Sequence, residues 1–303
     1  MSLRAQVINL FLRLVEKRRL MRADDPADLR AGFERSARLF FHGPRGARYE
    51  AATLGGVGGL RVTGPGAGDA QVLLYFHGGG YVMGSPATHK AMLARLSKLT
   101  KRVAWLPDYR KAPEAPFPAA VEDALAVYEA LCATGASERI VIGGDSAGGG
   151  LALALLGEIC RLELPQPAGI FAFSPLTDMT FSGTSFAENA RADAVLPVGR
   201  ARDMEEMYMA GGDPTDPRAS PLWAEFTGAC PVWLCVGDSE ILLDDTRRMA
   251  ERLRAQGVKV RESVAHNLPH VWPLFQPVMP EANATLDDLA GWISSLSSSS
   301  GES

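Results

Sequence analysis

Apolar residues along this chain fall into short blocks separated by longer amphipathic segments. Nearly continuous apolar runs occupy residues 71–76, 102–107, 139–142, 170–173 and 231–236, and a more polar strand candidate, with three valines among seven residues, follows at 258–264. Runs of that length, rich in β-branched and aromatic residues, predict strands buried on both faces of a parallel sheet. Between them, residues 88–100, 119–132, 151–162, 244–256 and 285–296 carry apolar positions at helical spacing. Gly257 stands where a C-cap glycine closes the helix over 244–256. Repeated strand–helix alternation predicts an α/β fold in one domain: a mostly parallel central sheet with helices on both faces.

The flanks differ. Residues 1–40 read as two helices, the second opened by Asp25-Pro26 and carried by Leu29, Phe33, Ala37 and Phe40. In the first, Leu3, Val7, Ile8, Leu10, Phe11, Leu14 and Val15 are interrupted by Arg4, Arg13, Glu16, Lys17, Arg18 and Arg19. That predicts an amphipathic helix packed on the protein's own body, with a membrane-surface helix as the alternative. It lacks the uninterrupted apolar centre and small-residue cleavage site of a secretory signal. Residues 47–54 and 60–63 read as two short strands. More than fifty residues separate the run at 170–173 from that at 231–236. They hold a loop (178–189), a helix around 200–209 and a Gly/Asp/Pro-rich turn (211–218), an insertion long enough to form a lid. Its Met204, Met207, Tyr208 and Met209 either line an apolar pocket or pack the insertion onto the body. The serine-rich tail, 297–303, is expected to be disordered.

Composition narrows the picture. The chain has 303 residues, 47% hydrophobic and 22% charged, which suits a sizeable core. A net charge of −4 gives no reason to expect nucleic acid as a partner. No apolar run reaches the roughly 18 residues needed to span a bilayer, so no integral membrane segment is expected. Cys132, Cys160, Cys230 and Cys235 lack metal-ligand spacing and fit reduced thiols in a cytoplasmic protein.

The chemistry centres on Gly144-Asp145-Ser146-Ala147-Gly148, between a β-branched run and an apolar helix. Gly-x-Ser-x-Gly in that context predicts a nucleophile elbow, with Ser146 on a strained turn beside a helix N-terminus. After the run at 71–76 comes His77-Gly78-Gly79-Gly80-Tyr81, whose backbone N–H groups can meet charge developing on a carbonyl oxygen. A phosphate loop fails, because no Lys-Ser/Thr follows and no GxGxxG is present. A serine nucleophile needs a histidine base and a carboxylate to orient it, here in the order Ser, acid, His. Of the five histidines only His266 and His270 follow Ser146, and His270 lies in a loop beyond the last strand. The acid falls in Gly237-Asp238-Ser239-Glu240-Ile241-Leu242-Leu243-Asp244-Asp245. Asp244 and Asp245 suit the first turn of the next helix, which leaves Asp238 and Glu240.

This set of motifs resembles the hormone-sensitive-lipase-type branch of the α/β-hydrolases, the bacterial family IV esterases. The resemblance rests on His77-Gly78-Gly79-Gly80, on Asp108-Tyr109-Arg110-Lys111-Ala112-Pro113-Glu114-Ala115-Pro116-Phe117-Pro118, and on Gly144-Asp145-Ser146-Ala147-Gly148-Gly149. Asp213-Pro214-x-x-Pro217-x-x-Ser220-Pro221-Leu222 and His270-Val271-Trp272 complete it, in the family's order over roughly residues 70 to 275. It implies an α/β-hydrolase fold with a helical cap formed by about 1–40 and 180–212. It implies Ser146 as nucleophile, His270 as base, and the N–H groups of Gly78, Gly79 and Ala147 as oxyanion hole. The family's usual acid is the first Asp of an Asp-Pro-Leu-x-Asp pattern; here that position is Glu240, with Asp238 the alternative. Lys111 stands where the family usually has Leu. Asp108 and Glu114 are implied to brace the loop bearing His77, itself structural. The implied activity is a serine carboxylesterase acting on small esters of short to medium acyl chains, without metal or cofactor. A lactone or amide hydrolase would use the same triad, whereas ligand-receptor relatives lack the histidine that His270 supplies. A homodimer is an expectation carried by the resemblance alone.

Overall fold

The computed structural model describes residues 1–23, 25–135 and 137–298. Eight strands form one sheet: β1 (Arg48–Leu54), β2 (Val57–Thr63), β3 (Gly68–Phe76), β4 (Arg102–Pro107), β5 (Ile140–Asp145), β6 (Gly169–Phe173), β7 (Val232–Gly237) and β8 (Val260–Ala265). Their order is β1-β2-β4-β3-β5-β6-β7-β8; β1–β2 and β2–β4 pair antiparallel and all other pairs are parallel.

Helices cover both faces, which is why the central strands read as continuous apolar runs. Leu74, Phe76, Ile142, Ala172 and Leu234 point to one core, shared with α5 (Ala119–Thr134), α6 (Ala147–Arg161) and α9 (Leu243–Ala255). Leu73, Tyr75, Val141, Phe171 and Trp233 alternate to the other, shared with α4 (Pro86–Thr100) and α10 (Pro280–Ser298). Ser85 caps α4 with a reciprocal Ser85–Thr88 capping box, so that helix starts ahead of its periodic apolar positions. Helix α10 likewise begins at Pro280, and it continues through Ser298. Residues 299–303 of the expected disordered tail lie outside the described residues.

The N-terminal segment holds α1 (Leu3–Phe11), a π-helical turn (Leu12–Glu16) and α2 (Lys17–Arg22), one continuous helical run, followed by α3 (Pro26–Phe40). Asp25 caps α3 through the Asp28 N–H at 2.8 Å, as Asp25-Pro26 predicts. The long insertion contains α7 (Ser185–Glu188) and α8 (Val198–Met209). Ionic donors tie the two segments together. Lys17 Nζ donates to the carbonyls of Ala190 (2.9 Å) and Asp193 (2.7 Å), Arg13 to that of Ala192, and Arg200 Nε to that of Leu20 at 3.0 Å. Among the described residues no helix is long and apolar enough to cross a membrane. All four cysteines are free.

Candidate active site

Ser146 joins the end of β5 to the start of α6 with φ 53° and ψ −123°, a region that ordinary residues rarely occupy. The residues two before and two after it must be glycine. A Cβ on Gly144 would lie 2.1 Å from the Gly148 carbonyl oxygen, and one on Gly148 would lie 2.1 Å from that of Phe76. The strained turn is held by the Ser146 N–H to Phe173 O (2.9 Å) and by Gly150 and Leu176 N–H groups on the Ser146 carbonyl. Ser146 therefore stands at the N-terminus of α6, where the helix field favours negative charge.

The glycine loop after β3 packs directly on this elbow. Asp145, buried, accepts from the Tyr75 hydroxyl (2.8 Å) and the Gly78 N–H (3.0 Å), and lies 3.1 Å from His89 Nε2. That bond corrects the expected oxyanion set: the Gly78 N–H already has an acceptor. The N–H groups of Gly79, Gly80 and Ala147 have none among the described residues. His77 is fully buried, stacks on Tyr109 at 4.3 Å and donates from Nδ1 to Gly78 O. Burial, aided by the nearby His89 and Lys111, holds its pKa well below the ordinary value, so it stays neutral. The expected bracing is shared differently. Tyr109, not Asp108, touches the loop, its hydroxyl donating to His77 O at 2.7 Å, while Asp108 pairs with Lys111. Glu114 acts at one remove through Arg30, which it grips with both oxygens; Arg30 Nε donates to Val82 O at 2.8 Å.

His270 follows β8 and Glu240 follows β7. Glu240 Oε2 accepts from His270 Nδ1 at 2.6 Å, and both side chains are buried. Glu240 Oε1 accepts from Ser174 Oγ (2.8 Å) and the Gly237 N–H (2.6 Å), so the carboxylate is held by three donors. Asp238 turns outward to His266, 2.6 Å away, and to the Asn267 N–H. Of the two acids left open by the sequence, Glu240 is the one brought to His270. Burial alone would lower the His270 pKa; the Glu240 carboxylate, reinforced by Asp193 and Asp145, overrides it and raises the value above 6.5. The Nδ1–H bond leaves Nε2 facing the cavity side as an acceptor. No hydrogen bond joins it to Ser146 Oγ here; such contacts commonly tighten only with substrate bound.

Two residues on the insertion had no motif to mark them. Asn189 Nδ2 donates to the carbonyls of Asp238 (3.1 Å) and Glu240 (2.8 Å). Buried Asp193 accepts from Ile241 N–H on one oxygen (3.0 Å) and from Val195 and Leu196 N–H on the other. The insertion thus grips the loop that carries Glu240. The only sequence signal was an Asx-type residue shortly before Pro197.

Ser146, His270 and Gly78–Gly80 line one cavity of about 160 Å³. Phe11, Leu12, Phe33 and Phe40 wall it from the N-terminal helices, and Met179, Phe181, Leu196, Met204 and Tyr208 from the insertion. Met204 and Tyr208 line the pocket as the lid reading predicts; Met209 is buried in the core and Met207 packs against it.

Comparison with known proteins places this geometry. A family model described as the alpha/beta hydrolase fold matches residues 73–274. The chain is 37% identical over 224 residues to an acetyl-hydrolase from Streptomyces hygroscopicus, covering 74% of this chain and 75% of that protein. It is 33% identical to an esterase from Acinetobacter venetianus, covering 89% of each. A crystal structure of an esterase from the bacterial hormone-sensitive lipase family superposes with a TM-score of 0.91 at 35% identity, over 97% of this chain and 98% of that one.

Proposed function

The chain belongs to the α/β-hydrolase family, in its bacterial hormone-sensitive-lipase branch of esterases, and from that premise we propose a serine carboxylester hydrolase with Ser146, His270 and Glu240 as its triad. Ser146 Oγ attacks the ester carbonyl carbon as His270 Nε2 takes its proton. The oxyanion is met by the N–H groups of Gly79, Gly80 and Ala147. The tetrahedral intermediate collapses, the C–O bond to the alcohol breaks, and His270 returns the proton to the leaving oxygen. Water, deprotonated by the same histidine, then cleaves the acyl-enzyme. Glu240 fixes the Nδ1–H tautomer and stabilises the imidazolium that forms in each half-reaction.

The observation that carries this reading is the His270–Glu240 pair at 2.6 Å, whose histidine lines one cavity with a serine on a strained elbow. Residues 1–40 and 180–212 act as the cap of one catalytic domain. A cavity of about 160 Å³ matches one that takes a benzene-sized apolar guest, which supports short to medium acyl chains. The free thiols suit the cytoplasm.

A series of p-nitrophenyl esters tests it. Acetate through hexanoate should be hydrolysed well and palmitate poorly, and Ser146→Ala should lower kcat by about 10³-fold or more. Full activity in Ser146→Ala would refute the mechanism; a preference for palmitate would refute the acyl-chain reading.

A further inference from the structure

The N-terminal helices bury one side and leave the other bare. Ala5, Leu12 and Leu20 pack inward, while Leu3 (75% exposed), Val7 (61%), Leu10 (59%) and Leu14 (46%) form a stripe on the opposite side of the same helical run. Their spacing of three and four residues places them on one face. Leu39 and Phe40 of α3 are also exposed, at 64% and 45%. Single exposed apolar residues are ordinary, but a continuous face of this kind marks an interaction surface.

Charge distinguishes the occupant. Residues 1–40 carry nine Lys and Arg against five Asp and Glu, a net charge of +4; with −4 on the whole chain, residues 41–303 carry −8. Arg4, Arg18, Arg22, Arg35 and Arg38 are exposed and have no carboxylate partner among the described residues. Isologous pairing with a second copy would bring these arginines against one another. A bilayer with anionic headgroups meets both features, taking the leucines into its interface and the arginines onto its phosphates. The face also leads to the active-site cavity: Phe11 and Phe40 touch edge to face at 5.6 Å, are exposed outside, and line the cavity that holds Ser146.

We propose that the exposed face of α1–α3 docks the enzyme on anionic membrane surfaces, with the mouth of the cavity turned toward the acyl region of the bilayer. Bound this way, the enzyme draws ester substrates that partition into lipid.

Flotation of the full-length protein with phosphatidylcholine vesicles, with and without phosphatidylglycerol, tests the proposal without using esterase activity. Wild type should float with the anionic vesicles only, and high salt should release it. The triple variant Val7→Asp/Leu10→Asp/Leu14→Asp should lose at least about tenfold in vesicle partitioning while hydrolysing soluble p-nitrophenyl acetate like wild type. Arg18→Glu/Arg22→Glu, which leaves the apolar stripe intact, should also float poorly. Failure of wild type to float, or flotation of the triple variant equal to wild type, would overturn the proposal. So would a wild-type dimer that ignores vesicles and that the triple variant dissociates, since a second copy would then own the face.

Discussion

Glu240 and Asp238 stand two residues apart and face opposite ways, inward to His270 and outward to His266, so loss of the Glu240 charge should slow kcat far more than loss of the Asp238 charge. The Ser146 elbow was legible because its glycines are dictated locally: only residues without a Cβ let Phe76 and Gly148 come so close. Glu240 was legible only through its position relative to a family pattern, since spacing alone left Asp238 open. The fold separates them by direction. Gly78 misled because nothing in the sequence says that the Asp145 carboxylate lies beneath the loop and takes its N–H. These contacts predict a contrast. Glu240→Gln should lower kcat by about 10³-fold, because the amide cannot stabilise the imidazolium and can hold the wrong tautomer. Asp238→Asn should leave kcat near wild type. Steady-state kinetics of the two variants decide, and a collapse in Asp238→Asn alone would reverse the assignment.

Among the elements, the central strands and the helices flanking them followed from periodicity, because burial on both faces leaves a direct mark on composition. The insertion left no such mark. Its work at the site is done by Asn189 and Asp193, polar residues whose partners lie about fifty residues away in sequence, on the loop after β7. Asp193 offers a pH test. A general base must be neutral, so kcat/KM should rise with pH through the His270 pKa, which stands above 6.5 partly because of Asp193. Asp193→Asn removes that negative charge and sets an amide against the Ile241 N–H. The midpoint of the pH profile should therefore move to lower pH, with a loss in kcat. An unchanged midpoint would show that Asp193 is only a structural anchor.

At the level of the whole molecule, the mostly parallel sheet with helices on both faces followed from alternation, yet the sequence could not reveal the strand order or how α9 is fastened to the body. Asp245 does this from inside, accepting the N–H groups of Thr177 (2.8 Å) and Asp178 (3.0 Å) beyond the end of β6. Burial pushes its carboxyl from the ordinary 3.8 up to about 7, against those donors. Between these values the folded protein holds a proton that the unfolded chain has released, so this group makes stability fall as pH rises through the window. Asp245→Asn keeps an acceptor for both N–H groups and removes the charge. Its melting temperature should decline less than that of wild type from about pH 4 to pH 7, by differential scanning calorimetry; an identical decline would mean that Asp245 is ionised throughout.

The catalytic reading hangs on one bond, the ester that Ser146 is held to form. Incubation with diethyl p-nitrophenyl phosphate, followed by intact-mass and peptide mass spectrometry, tests it most directly. The account predicts a single diethylphosphoryl adduct on Ser146, with esterase activity falling in step with its formation and no adduct in Ser146→Ala. Complete modification of Ser146 with activity retained, or loss of activity with the adduct on another residue, would contradict it.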